Sequence, residues 1–281
     1  MEDLTRCGLS RWNTWNITRW LFPLLAGIFY ILGFPSFLPF NFFLFPIIGL
    51  VLLFRCILVD INVDANSEIT GTHRDLKAEL ISLIIFFVVI NFVGYGWLSQ
   101  TLQEFGEISP PINYLLATFY FLIVMPHYWV FWLLLILGER FLKKIKIKNK
   151  YKNKSNNVVI MNIILALLFV LCEYYIPVLF PPPYLGHAFM QITPYLGMAP
   201  VAGVPLFSFV SFWLVLSLVG FSRKQKQKQK DFLAPVVFLL FLCCNFLYPL
   251  PRLQEGISPK STPQQGTRIR IVQANVGSVF K

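Results

Sequence analysis

Arg140 to Lys154 reads RFLKKIKIKNKYKNK and Arg223 to Lys230 reads RKQKQKQK, and each of these basic runs is set between long apolar stretches. Together they carry 13 of the chain's 24 Lys and Arg residues. Hydrocarbon cannot satisfy a free backbone N–H or C=O, so apolar runs of about 20 residues in a bilayer must be helices. A composition of 56% apolar and 13% charged residues fits a multi-pass membrane protein and excludes an ordinary soluble domain. Most of the charge behind the net +11 lies outside the apolar spans, in the connections between them and in the chain's ends. It therefore reads as the positive-inside signature, with attraction to anionic lipid as a by-product, and nucleic acid is not expected as a partner.

Working outward, the apolar runs predict an all-α bundle of about seven transmembrane helices, near Trp20–Phe34, Phe40–Val59, Leu80–Trp97, Ile112–Leu137, Val158–Leu179, Pro200–Phe221 and Phe232–Leu250. The first run is followed by bulky Phe34, Phe37 and Phe40 where a signal peptide needs small residues, so it reads as a retained helix. Arg6, Arg11, Arg19, the loop after Arg55 and both lysine runs fall on one side, which the positive-inside rule makes cytoplasmic. The connections Ser99–Pro111 and Pro181–Ala199, on the other side, contain no Lys or Arg. This parity predicts a cytoplasmic N-terminus and an extracytoplasmic C-terminus. The chain divides into a leader (1–19), the helical domain (20–250), a Pro-, Gln- and Ser-rich linker (251–266) and a tail (267–281). Within the tail, RIRIVQANV is a lone β-strand, too short to fold alone.

Several short elements recur in a known order: Gly33-Phe34-Pro35, Gly94-Tyr95-Gly96-Trp97, Phe105-Gly106, Glu173-Tyr174-Tyr175, Phe180-Pro181, Leu185-Gly186, the segment Gly197 to Val204, and Arg268 to Asn275. In that order the chain resembles the membrane part of bacterial apolipoprotein N-acyltransferases, ending at the first strand of a periplasmic nitrilase-like domain. The resemblance implies an inner-membrane protein. Its expected partners are a phospholipid acyl donor, a diacylated lipoprotein and, in trans, a nitrilase-like domain. The implied reaction moves an acyl chain from phospholipid to the α-amino group of an N-terminal diacylglyceryl-cysteine, by way of a Cys thioester assisted by a Glu and a Lys. The family's three catalytic residues map onto no residue of this chain, so the chain by itself is expected to be inactive. Two alternatives stand beside this reading. One is a non-catalytic subunit that docks a separate nitrilase-like domain through Thr267–Val276. The other is a small transporter, which wants paired intramembrane polar residues or two similar halves.

No cofactor or metal site is expected. Cys7, Cys56, Cys172, Cys243 and Cys244 lack ligand spacing and read as packing residues. Cys172 and Glu173 point about 100° apart on a helix and cannot act as nucleophile and base. The expected substrate groove is Trp97, Glu173, Tyr174, Tyr184, His187 and Gln191. Each has a second reading. Glu173 is either a group at the mouth of the lipid entry or a packing acid hydrogen-bonded to a Tyr or to backbone, and the aromatics either line a groove or anchor helices at the interface. The charge-free stretch around His187 and Gln191 is a platform or a plain connection. Asn91 and Asn162 are expected to hydrogen-bond between helices, and His127 to satisfy carbonyls freed by Pro126.

Overall fold

The computed structural model describes residues 20–34, 42–58, 75–120, 125–148, 157–176, 184–190, 197–222 and 231–248. All belong to the unit Met1–Pro249. The leader, Gln191, the second lysine run, the linker and the expected tail strand lie outside the described residues. The described residues form ten helices and no strand. They are α1 (Trp20–Leu32), α2 (Phe45–Leu58), α3 (Leu76–Gly94), α4 (Trp97–Glu104) and α5 (Ile112–Phe119), then α6 (Pro126–Lys148), α7 (Asn157–Tyr175), α8 (His187–Met190), α9 (Ala199–Ser222) and α10 (Leu233–Leu247).

Each expected apolar run contains a helix. Three, Leu76–Gly94, Val158–Tyr175 and Ala199–Gly220, are long and apolar enough to cross a membrane; α1, α2 and α10 are shorter apolar helices. The boundaries differ from expectation where side-chain chemistry intervenes. The third helix starts at Leu76 rather than Leu80 because the Asp75 carboxylate accepts the Ala78 N–H at 3.1 Å, an N-cap for the first turn. It stops at Gly94 rather than Trp97, and α4 runs from Trp97 into the connection expected at Ser99–Pro111. The fourth run is split into α5 and α6. Pro126 has no N–H and disfavours helix in the residue before it, so α6 starts there. α6 then continues past Leu137 to Lys148, because lysine is a good helix former wherever water can reach it.

Lipid tails are as apolar as leucine, so helices in a bilayer associate through close packing and hydrogen bonds. α9 lies at the centre, against α7, α2 and α10. The Phe169 ring of α7 stacks on the Phe212 ring of α9 at 3.9 Å and 9°. Phe54 of α2 meets Phe212 edge-on at 5.1 Å, and Phe131 of α6 meets Phe169 at 5.4 Å. These edge and stacked contacts fix the mutual rotation of four helices. A second group, Tyr30, Phe86 and Tyr128, ties α1, α3 and α6.

Polar ties close the two ends. At the end where α6 finishes and α7 begins, Asp231 Oδ2 accepts from Asn162 Nδ2 of α7 (3.1 Å) and from Trp213 Nε1 of α9 (2.9 Å). Its Oδ1 accepts the Ala234 N–H of α10 (3.3 Å), and its carbonyl accepts from Ser217 Oγ (2.6 Å). Trp132 Nε1 donates to Glu79 nearby in the fold's α3–α6 contact (2.8 Å). Toward the other end Asn91 Nδ2 donates to the Ala117 carbonyl at 2.6 Å, joining α3 to α5. Asn91 and Asn162 thus tie helices as expected. His127 does not do what Pro126 suggested: both its ring nitrogens are buried without a hydrogen-bond partner among the described residues, within an aromatic setting that includes Tyr128 and Phe169.

Candidate functional site

Two interruptions of helix build a cavity at the end opposite Asp231. α7 runs to Tyr175 and stops just before Ile176-Pro177, where the proline disfavours further helix. The chain returns through the turn Tyr184-Leu185-Gly186 into α8. Gly186 lies directly against α9: a Cβ there would sit 2.5 Å from the Val204 carbonyl oxygen. Its N–H donates to Ser208 Oγ at 2.9 Å. The second interruption is inside α9, where Gly203 has φ 68° and ψ 164°, a backbone region essentially restricted to glycine. The continuous part of α9 then begins at Pro205, which needs no N–H in a first turn.

The cavity between these elements measures about 250 Å³. Val170, Glu173 and Tyr174 of α7 form one wall, Tyr184 and His187 a second. Val204 and Pro205 of α9 form the third. Glu173 is 3% exposed. An acid within an apolar span is costly unless it is partnered. Here Glu173 Oε1 accepts the Leu185 N–H at 2.9 Å, and the Ser208 hydroxyl also hydrogen-bonds to the carboxyl group. One side chain thereby ties α7, the turn before α8, and α9. Burial and then the neighbouring Glu173 charge push the Tyr184 phenol above its usual value, so it stays protonated. Burial pushes the His187 imidazole below 6.5, so it is neutral near pH 7. The two rings lie 5.2 Å apart.

Of the residues expected in a groove, the fold brings Glu173, Tyr174, Tyr184 and His187 to one cavity. Trp97 begins α4, half exposed, with its ring 6.4 Å from Tyr95, and does not line that cavity. Gln191 lies outside the described residues. The packing reading of Glu173 holds for the backbone, although its side-chain partner is Ser208 rather than a Tyr. Sequence reasoning missed Ser208, Val204 and Pro205. The Gly-Val-Pro sequence before Leu206 was the available signal, since glycine followed by proline marks a broken helix. Cys172 is buried and is not part of the lining. Among the described residues no group of three or more His, Cys, Asp or Glu could hold a metal ion.

A helical bundle with membrane-length apolar helices and a small acid-lined cavity at one end is an integral membrane protein of the polytopic α class. Residues 26–217 match the model of the apolipoprotein N-acyltransferase N-terminal domain, and the chain belongs to that family. The match spans every wall of the cavity. No curated protein and no solved structure gives a significant match.

Proposed function

We propose that this chain is the membrane part of an apolipoprotein N-acyltransferase. In this role the bundle holds the phospholipid acyl donor and the diacylated lipoprotein while an acyl chain passes to the lipoprotein's N-terminal amine. The family match over 26–217 carries the reading. The cavity supports it, because it lies at the end whose connections lack Lys and Arg and so belongs, by the positive-inside rule, outside the cytoplasm. That rule also supports a cytoplasmic N-terminus with residues 251–281 outside, and the family match supports the bacterial inner membrane. The described residues offer no nucleophile with an adjacent base, so the acyl-transfer chemistry is assigned to a nitrilase-like domain rather than to the helices.

Photo-crosslinking in native membranes tests the assignment. A benzophenone amino acid in place of exposed Tyr174, beside the cavity, should capture labelled diacylated lipoprotein or phospholipid. The same probe in place of exposed Leu240 on α10 reports ordinary lipid contact. Equal capture of lipoprotein at both positions overturns the proposal.

A further inference from the structure

Among the described residues the carboxylate of Glu173 has hydrogen-bond donors but no positive charge beside it. It is the only Asp, Glu, Lys or Arg between Lys154 and Arg223. By the positive-inside topology three other stretches reach this end: residues 34–44 and Ala78 to Glu139 contain no Lys or Arg, with Glu104 and Glu107 as the acids there, and the chain after Leu247 carries Arg252, Lys260, Arg268, Arg270 and Lys281, which lie outside the described residues. Among the described residues no Lys or Arg pairs with Glu173, and His187 is uncharged near neutral pH. An ionised carboxylate offers about four lone-pair sites. Leu185 N–H and the Ser208 hydroxyl take two of them. The remaining acceptor capacity belongs to a side chain that lines a cavity rather than packed protein.

The surroundings of that acceptor narrow the ligand. Tyr174, Tyr184 and His187 present aromatic rings, whose faces attract cations, most strongly where water is excluded. Val170, Val204 and Pro205 supply apolar wall for the carbons that carry a charged head. A volume of about 250 Å³ admits a headgroup or a chain terminus and not a whole lipid. An anion would meet an acid with no Lys or Arg beside it among the described residues. We infer that this cavity binds the ammonium group of a primary amine, with Glu173 as its counter-charge and the Tyr184 and His187 rings as its walls. Two molecules carry that chemistry to a membrane surface, an ethanolamine phospholipid and a peptide with a free, lipid-anchored N-terminus.

The inference rests on the proposed function only for the identity of the amine, and the test separates the two. Full-length chain in detergent is titrated calorimetrically with dihexanoyl-phosphatidylethanolamine and, separately, with a diacylated lipopeptide. Each ligand is used with its amine free, N-methylated so that the charge is kept, or N-acetylated so that it is lost. At least one free-amine ligand should bind, its N-methyl form within about three-fold and its N-acetyl form at least about ten-fold more weakly. Which ligand behaves so identifies the source of the amine. Glu173→Gln, which still offers an oxygen to the Leu185 N–H, should weaken the free-amine ligand by about ten-fold and leave the N-acetyl form unchanged. Ligands that bind equally in all three forms would leave the lipid-holding function standing and end the ammonium site. Absence of any binding would end both. Acetylation of the ligand needs no variant to fold, so the outcome decides even if the Gln protein is unstable.

Discussion

Asp231 and Glu173 are both buried acids that tie α7 to α9, and they sit about three helical turns apart along α7, on the order of 16 Å, if Asn162 marks the level of Asp231. Asp231 is surrounded by donors: two side chains, one backbone N–H, and a serine on its own carbonyl. Glu173 receives a backbone N–H and one hydroxyl, and lines a cavity. A buried polar group whose partners all come from the fold specifies structure. One whose partners are incomplete leaves room for a ligand. The same residue chemistry thus closes the bundle at one end and leaves it receptive at the other.

The largest effect should come from breaking the closed end. Asp231→Ala leaves the buried indole N–H of Trp213 and the amide of Asn162 without their acceptor, at a cost of about 3 kcal/mol. Thermal unfolding in detergent should show a clear fall in midpoint; an unchanged midpoint would remove Asp231 from its structural role. Next, Gly203→Ala forces a side chain onto a backbone conformation that disfavours it, costing about 2 kcal/mol. This change should disturb the cavity wall at Val204 and Pro205 while sparing the Asp231 cluster, and tryptophan emission from Trp213 reports on that sparing.

Glu173→Gln should cost less, about 1 kcal/mol, because the amide oxygen replaces one acceptor and cavity water can serve the other donor. A loss as large as that of Asp231→Ala would erase the contrast between the ends. The smallest effect concerns pH. The folded value of His187 lies below 6.5, so between the two values the unfolded chain binds more protons and stability rises with pH. Its contribution is present above about pH 6.5 and is lost as pH falls toward the folded value. His187→Gln should therefore shrink the drop in thermal midpoint between about pH 7.5 and about pH 5.5. An identical drop in the variant would show that His187 is not held neutral by burial.

Much of this architecture is legible in the residues alone. Membrane helices announce themselves by composition, and all seven apolar runs contain helix. Glu173 was legible for the same reason, as a single acid in a long uncharged stretch. What stayed hidden depends on long-range partners. Asp231 follows a lysine run and reads as loop, yet its partner Asn162 is 69 positions away. Ser208 stands among other helical serines, Ser211 and Ser217, with nothing local to single it out. Trp97 and Tyr174 look alike in sequence because an interfacial aromatic carries no mark of the direction it faces; only the packing separates the one beside the cavity from the one beside Tyr95. Pro126 was visible inside the fourth run, and the break it makes follows from its missing N–H.

Gly203 carries one more consequence. A Cβ built there in the natural hand meets only Pro205 Cδ, at 3.4 Å, so the site has room for a methyl group. Its φ of 68° is what excludes L-residues, and reflection turns that angle into one that ordinary extended chains adopt. The position therefore discriminates by chirality and not by bulk. A semisynthetic chain with D-alanine at 203 should escape the backbone strain that L-alanine meets there.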